Sequence, residues 1–105
     1  MSPESEVFML LKAGVDISRL NKPIRQALGP LESIYLSGGK ELIVTSTYEG
    51  THMASSLHYQ NDAIDVRWIA GNVLNLVDKI QSRLGKDFDV VEEGDHLHIE
   101  YDPKP

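Results

Sequence analysis

The sequence predicts an α+β fold, in which helices pack on one face of a small, mainly antiparallel β-sheet. At 105 residues the chain has room for one hydrophobic core, so we expect a single domain spanning residues 1–105. Two segments carry apolar residues at helical spacing, and three others are β-rich or alternating. The predicted order is helix, strand, strand, helix and a terminal hairpin, which is typical of this class.

The N-terminal third predicts a helical region that proline interrupts. Residues 5–12 are apolar and fit either a short helix or a strand, which Gly14 ends. Residues 15–36 have apolar side chains at helical spacing, namely Leu20, Ile24, Leu28, Leu31 and Ile34. Pro23 suits a first helical turn. Pro30 follows a glycine and predicts a break or kink, because it has no N–H to donate to the carbonyl four residues earlier.

Two strands are predicted in the middle of the chain. Residues 41–47, "ELIVTST", are β-rich and follow the turn "SGGK". Residues 63–69, "AIDVRWI", alternate between an apolar face and a second face that carries a carboxylate and a guanidinium. The apolar face consists of Ile64, Val66 and Trp68.

A second helix and a hairpin complete the predicted fold. Residues 71–87 contain one apolar helical stripe, which consists of Val73, Leu76, Val77, Ile80 and Leu84. Gly85 is a C-terminal stop for this helix. Residues 88–101 predict a hairpin around the turn pair Gly94–Asp95.

Charge and composition exclude several functional classes. The formal net charge is −6 and no basic stripe is present, so we expect no binding to nucleic acid and no attraction to an anionic membrane. The chain has no cysteine, so any metal site must use His, Asp or Glu. The N-terminal apolar run is short and follows acidic residues, unlike a secretory signal, and no stretch approaches the roughly 20 apolar residues that span a bilayer. We therefore expect a soluble monomer made in the cytoplasm without a signal peptide.

All four histidines lie in two short segments of the chain. His52 and His58 precede the strand at 63–69, and the other two lie in the predicted last strand, "HLHIEY". The period of two places His96, His98 and Glu100 on one face of this strand, with apolar residues on the other. The apolar set is expected to face the core, so the two histidines are expected on the open face of the sheet.

A carboxylate is predicted on the same open face. The alternation of its strand places Asp65 away from the core, and His58 precedes it across a loop long enough to fold back. Two imidazoles and one carboxylate are thus predicted to bind zinc, with water as the fourth ligand of a catalytic site. Bound zinc lowers the pKa of its water to about 7 and polarises a carbonyl. A nearby acid would serve as general base, and Glu92, Glu93 and Asp95 are the candidates.

Each of these features has an ordinary explanation when it is taken alone. A single histidine on a strand is usually a surface or hydrogen-bonded residue, and the acidic turn at residues 92–95 is typical of a solvated loop. Asp65 alone is typical of a charge that protects an edge strand from aggregation. The combination of all histidines in two segments, on matching faces and beside carboxylates, favours a metal site.

The motifs resemble a known family of zinc proteins. "SLHYQNDAIDV" resembles a segment of Hedgehog signalling domains and the Ser-x-His-x6-Asp motif of the M15 family of D-Ala-D-Ala metallopeptidases. "DHLHIE" resembles the closing His-x-His of the same LAS superfamily, which includes the lysostaphin-type enzymes. The two motifs have the family's order and spacing, and the resemblance covers residues 41–101. It implies a Hedgehog/DD-peptidase-like fold and a zinc cofactor.

Specific roles follow from this resemblance. It implies three zinc ligands, namely His58, Asp65 and His98. His96 would be the accessory histidine that contacts the substrate or the transition state. Ser56 matches the motif serine, which lies beside the metal and touches substrate, and His52 occupies a place where Hedgehog domains also have a histidine near zinc.

The resemblance leaves three acids as candidates for the catalytic base. The Hedgehog register places the catalytic glutamate at Glu92. A two-residue turn instead pairs Glu93 with His96 and places Glu93 on the metal face, which is the assignment that we prefer. Some M15 peptidases have their acid three residues before the last ligand, and this position is Asp95.

One departure from the family affects the predicted substrate. Family carboxypeptidases carry Ser-x-Tyr-Arg before the histidine motif, and the arginine holds the terminal carboxylate of the substrate. The corresponding stretch here is "STYEG", with Glu49 in place of the arginine. Arg67 shares the face of Asp65 and is a substitute, although a solvated arginine or a salt-bridge partner is the more ordinary interpretation. An endopeptidase needs no such clamp and is favoured over a D,D-carboxypeptidase.

The predicted function is zinc-dependent hydrolysis of peptide bonds in peptidoglycan stem peptides or cross-links. Such a hydrolase would degrade the cell wall as an endolysin does, after lysis or as part of a phage particle. The alternatives are a non-catalytic, Hedgehog-like zinc-binding interaction module and an acidic interaction domain without metal. Hedgehog domains also carry calcium, which Asp62, Glu49 and Glu92 imitate in part, but a solvated acidic surface is the preferred interpretation.

Overall fold

The structure is a computed structural model that describes residues 9–47, 61–68 and 75–103. It is an α+β fold built on a mixed five-stranded sheet with the order β1-β2-β3-β5-β4. The strands are β1 (Met9–Leu11), β2 (Leu42–Ser46), β3 (Ala63–Arg67), β4 (Phe88–Glu92) and β5 (His96–Tyr101). β1 runs parallel to β2, and the other three neighbouring pairs are antiparallel. The predicted α+β class is thus confirmed, with one parallel edge strand that the sequence did not distinguish from a helix.

The helical region is divided as the proline positions predict. A single 3₁₀ turn at Ile17–Arg19 precedes α1 (Lys22–Gln26) and α2 (Leu28–Ser37). The break lies at Ala27, so Pro30 falls in the first turn of α2, where a missing N–H removes no helical hydrogen bond. Among the described helices, none is long and apolar enough to cross a membrane.

The third helix, α3 (Leu76–Leu84), matches the predicted amphipathic stripe. Leu76 and Ile80 are buried, and Val77 and Leu84 pack against the same core. Val73, which the periodicity also placed on this stripe, lies outside the described residues. The helix ends at Gly85, whose φ of 93° is strained for any residue with a side chain, so the predicted stop is confirmed.

The core lies between the helices and one face of the sheet. The sheet contributes side chains that are 0% exposed from three neighbouring strands, namely Leu42, Val44, Ile64, Val66, Leu97 and Ile99. The helices contribute Ile24, Leu31 and Ile80, which are equally buried. The predicted alternation of β3 and β5 is confirmed, because their apolar residues enter this cluster. The polar residues of both strands therefore share the opposite face of the sheet, which we call the histidine face.

Two contacts fix the strands that carry the histidine face. The buried Tyr35 hydroxyl of α2 donates a hydrogen bond of 2.9 Å to the backbone carbonyl of Arg67 in β3. The turn between β4 and β5 is a tight one, in which the Glu93 N–H donates to the His96 carbonyl at 2.9 Å. Gly94 has a φ of 81°, which explains why glycine occupies this turn. The predicted hairpin around Gly94–Asp95 is confirmed.

We expect Leu97→Ala to lower the free energy of unfolding by about 2–5 kcal/mol, because it empties a fully buried position in an interior strand of the sheet. The matched control is Val91→Ala on the neighbouring strand β4, where the side chain is 46% exposed, and we expect a change within about 0.5 kcal/mol. Urea unfolding followed by circular dichroism measures both. Equal losses for the two variants would contradict the described register of the hairpin.

Candidate metal centre

The register of β3 against β5 brings distant polar residues together. Asp65 lies directly opposite His98, and Arg67 lies directly opposite His96. Residues opposite one another in an antiparallel pair project from the same face of the sheet. The prediction that Asp65 and the two histidines share a non-core face is therefore confirmed. That face is not fully open, because Ala63 in β3 projects from it and is 0% exposed.

Asp65 and His98 form the most buried polar pair of this face. Their side chains are 13% and 16% exposed, and Asp65 Oδ1 lies 3.1 Å from His98 Nδ1. The other ring nitrogen, His98 Nε2, lies 2.7 Å from Glu100 Oε1. Hydrogen bonding to Asp65 is the main cause that raises the pKa of His98 to about 9, against the opposing effect of burial, and Glu100 adds to the increase.

His96 lies at the centre of a second group of carboxylates. Its Nδ1 lies 3.0 Å from Asp95 Oδ1, and its Nε2 lies 3.3 Å from Glu93 Oε1 and 3.9 Å from Asp65 Oδ2. The hydrogen bond to Asp95 is the main cause that raises the pKa of His96, and the same bond lowers the pKa of Asp95. Asp65 therefore faces both histidines and links the two groups into one cluster.

The donor atoms of this cluster suit a divalent metal ion. Oxygen and imidazole nitrogen are zinc ligands, and ligand atoms about 2.0–2.2 Å from a tetrahedral ion lie roughly 3.4 Å apart. The 3.1 Å between Asp65 Oδ1 and His98 Nδ1 is close to that separation. One donor atom from each of Asp65, Glu93 and His96 also lies within 4.8 Å of the other two. Asp65 belongs to both donor sets, so it is the central candidate ligand.

The remaining predicted site residues divide into those that the structure describes and those that lie outside the described residues. Three of them, His52, Ser56 and His58, lie outside the described residues, as does Glu49, so the predicted third zinc ligand stays a prediction. The candidate bases are described.

Among the candidate bases, Glu93 lies closest to the imidazole of His96, at the 3.3 Å given above. Asp95 also contacts His96, but its side chain is 98% exposed. Glu92 lies opposite Leu97, a core residue, so the register places it on the face of the sheet away from Asp65. The pairing of Glu93 with His96 across the turn, which the sequence predicted, is confirmed.

Two features of the site were not predicted. The first is the contact of Glu100 with His98, although the period of two had already placed both residues on one strand face. A cavity of about 260 Å³ opens beside Asp65 and His96, and Lys12 and Thr45 form part of its wall. No local pattern in the sequence relates Lys12 to His96, because their proximity depends on the parallel pairing of β1 with β2.

A second group of acids, which includes Glu100 of the histidine face, does not define a second metal centre by itself. Asp89, Glu100 and Asp102 hold carboxylate oxygens within 4.8 Å of one another, which is common among partly exposed acids. Asp62, predicted as a possible part of a calcium site, accepts a hydrogen bond of 2.7 Å from Asn21 Nδ2. This contact ties β3 to the start of α1.

Comparison of the chain with protein-family models, with curated proteins and with solved structures finds no significant match. The function must therefore be inferred from the motifs and from the geometry of the histidine face.

The pKa of His98 leads to a pH-dependent stability of the metal-free protein. A folded-state pKa of about 9 against an ordinary value of 6.5 means that the folded protein binds this proton more tightly than the unfolded chain. The resulting stabilisation is complete below pH 6.5 and is lost as the pH rises towards 9. We expect Asp65→Asn to lower the pKa of His98 and to flatten this dependence. NMR titration of the histidine rings measures the effect, with Glu41→Gln as a control for charge. A wild-type His98 that titrates near 6.5 would contradict the described Asp65–His98 contact.

Proposed function

We propose that the protein is a zinc-dependent metallopeptidase that hydrolyses peptide bonds in bacterial peptidoglycan. The observation that carries the proposal is the Asp65–His98 contact of 3.1 Å, which joins the two sequence motifs across neighbouring strands. The motifs resemble those of the M15 family, in which the corresponding residues bind zinc. Asp65, His98 and His58 would hold the ion, and bound zinc would supply a water of lowered pKa and polarise the scissile carbonyl.

Glu100 would orient His98 for metal binding. Its carboxylate lies 2.7 Å from Nε2 and would keep the proton on that nitrogen when the ion binds, so that Nδ1 would give up its own proton and offer a lone pair. That nitrogen is the one that faces Asp65. Carboxylates that hold the second nitrogen of a histidine ligand raise the basicity of the ligand and fix its ring orientation.

Glu93 is our candidate for the general base. Its carboxylate lies on the histidine face, 3.3 Å from His96 Nε2, and its side chain is half-exposed, so that it would be accessible to a water molecule. Glu93 would accept the proton of the attacking water and transfer it to the leaving amine. His96, as an imidazolium, would stabilise the negative charge that develops on the carbonyl oxygen.

An endopeptidase that cuts within stem peptides or cross-links is favoured over a D,D-carboxypeptidase. The reason is Glu49, which replaces the arginine that binds a terminal carboxylate in related carboxypeptidases. An enzyme of this kind would act on the cell wall as an endolysin, after lysis or from a phage particle. The same departure also favours a second candidate, a non-catalytic zinc module of the Hedgehog type, because it removes a known element of substrate binding.

Activity is tested with zinc-loaded protein and purified peptidoglycan. We expect release of new amino groups by the wild type and its loss in His58→Ala, Asp65→Ala and His98→Ala, together with loss of bound zinc. One equivalent of zinc without any amino-group release would favour the non-catalytic module. Absence of bound zinc and unchanged melting in chelator would contradict both candidates and favour a metal-free interaction domain.

The assignment of the base is tested separately with isosteric variants. We expect Glu93→Gln to retain zinc but to lower the turnover rate by about 10²–10⁴-fold, because the proton acceptor is lost. Glu92→Gln, one residue away and on the other face of the sheet, is the matched control and should keep wild-type turnover. A larger loss of turnover in Asp95→Asn than in Glu93→Gln would identify Asp95 as the general base instead.

The role of Glu100 is tested by metal affinity. We expect Glu100→Gln to weaken zinc binding by about 10–100-fold, because His98 loses the acceptor that holds its ring. Competition with a chromogenic chelator measures the dissociation constant. Glu41→Gln removes one exposed carboxylate outside the site and should leave the dissociation constant for zinc unchanged. If both substitutions weaken zinc binding equally, Glu100 contributes only its negative charge and does not orient His98.

A further inference from the structure

The cavity beside His96 contains the basic side chains of the site. It measures about 260 Å³, and its wall is formed by Lys12, Thr45, Asp65, Arg67, Asp95 and His96. Clefts that bind drug-sized ligands occupy about 300–1,000 Å³, so this cavity suits a single amino-acid residue of a peptide. It begins at Asp65 and His96, so a residue bound there would be adjacent to the proposed metal.

The backbone holds both cations in place. Arg67 lies in β3 directly opposite His96, and the Tyr35 hydroxyl binds its carbonyl. Lys12 directly follows β1, and its N–H donates to the carbonyl of Val44 at 2.9 Å, which fixes it against β2. Neither position depends on a long loop.

The sheet also places a hydroxyl at the cavity. The register between β2 and β3 shifts after Val44, so that Thr45 and Ser46 together occupy the space opposite Asp65. A bulge of this kind redirects a side chain, and bulges are enriched beside active sites. Thr45 is the bulged residue that lines the cavity.

The charge of Arg67 acts on Asp95, since it is a minor cause of the lowered pKa of that carboxyl, but close ion pairs of the two cations are absent from the described residues. Within residues 9–47, 61–68 and 75–103, neither Lys12 nor Arg67 forms an ion pair, although the neighbouring carboxylates of Asp65 and Asp95 line the same cavity. Those carboxylates bind the histidines instead. Two cations that form no close ion pair with the described residues, together with a threonine, line a cleft whose size suits an anionic group of a ligand. A guanidinium binds a carboxylate through two parallel hydrogen bonds, and an ammonium adds a point charge.

We infer that Lys12, Thr45 and Arg67 form a carboxylate-binding subsite, so that the substrate carries a free carboxylate beside the bond that is cut. This inference rests on the proposed peptidase function and defines the substrate more narrowly. A peptidoglycan stem peptide with L-lysine at its third position offers two such groups, the α-carboxylate of its γ-linked D-glutamate and the terminal carboxylate of its last D-alanine. Binding of the first would accompany endopeptidase cleavage, and binding of the second would accompany carboxypeptidase cleavage.

The test is a binding experiment that needs no turnover. The ligand is the synthetic pentapeptide L-Ala-γ-D-Glu-L-Lys-D-Ala-D-Ala, with two further versions that are amidated at one carboxylate each. The protein is the full chain carrying Glu93→Gln, loaded with zinc so that the peptide persists, and NMR titration gives the dissociation constants. We expect amidation of one of the two carboxylates to weaken binding by about 10–100-fold, as loss of a charge-assisted hydrogen bond does.

Substitutions of the subsite cations test whether the loss of affinity on amidation depends on these residues. We expect Arg67→Gln and Lys12→Gln each to weaken binding of the unmodified peptide by about tenfold or more. Neither substitution should change the affinity for the peptide whose amidation itself weakens binding, because that peptide already lacks the carboxylate that the subsite binds. Lys79→Gln, which neutralises an exposed cation of α3 on the helical side of the sheet, is the matched control and should bind all three peptides as the parent does. Arg67→Lys keeps the charge without the planar guanidinium and should give an intermediate affinity.

The outcomes separate this inference from the proposed function. If neither amidation nor the two substitutions changes affinity by more than about twofold, or if no peptide binds at millimolar concentration, the subsite is refuted even where the wild type cleaves peptidoglycan. If binding depends on one carboxylate and on Arg67 but the wild type cleaves nothing, the subsite is supported and the peptidase function is refuted.

Discussion

The pairing of Asp65 with His98 is the interaction on which the histidine face depends. A carboxylate that is only 13% exposed is unfavourable without a partner, and His98 supplies one at 3.1 Å. The pair is possible only because β3 and β5 are neighbours in this one register. The same register sets Arg67 opposite His96 and, through the tight turn, Glu93 beside it. The positions of the other site residues thus follow from one alignment of two strands.

The electrostatics of the face explain why a cation is expected there. Asp65, Glu93, Asp95 and Glu100 supply four carboxylates around two imidazoles, so the cluster stays negative even when both rings are protonated. Each imidazole has a raised pKa, which shows that protons already compensate part of this charge. A divalent ion would replace those protons, since metal binding to imidazole releases them. Protonation and metal binding are therefore competing ways to neutralise the same group of acids.

Much of this arrangement was predictable because its determinants are local. The period of two in "HLHIEY" placed His96 and His98 on one face, and the Gly94–Asp95 pair set the register that brings Glu93 to His96. The helix break before Pro30 also follows from one residue's missing N–H. The strand β1 was ambiguous, since Met9–Leu11 has no pattern of its own and becomes a strand by pairing with β2. The proximity of Lys12 and Thr45 to His96 depends on that pairing and on a bulge, and neither is encoded in a short segment.

The position of β5 in the interior of the sheet has a consequence for how this sequence can vary. Its odd-numbered residues Leu97 and Ile99 fill the core, and its even-numbered residues His96 and His98 serve the opposite face. Both neighbours, β3 and β4, are aligned to it residue by residue. An insertion or deletion of a single residue would exchange the two sets, turning imidazoles inward and aliphatic groups outward at once. During evolution this strand can therefore change by substitution at individual positions, whereas insertions and deletions within it are strongly disfavoured.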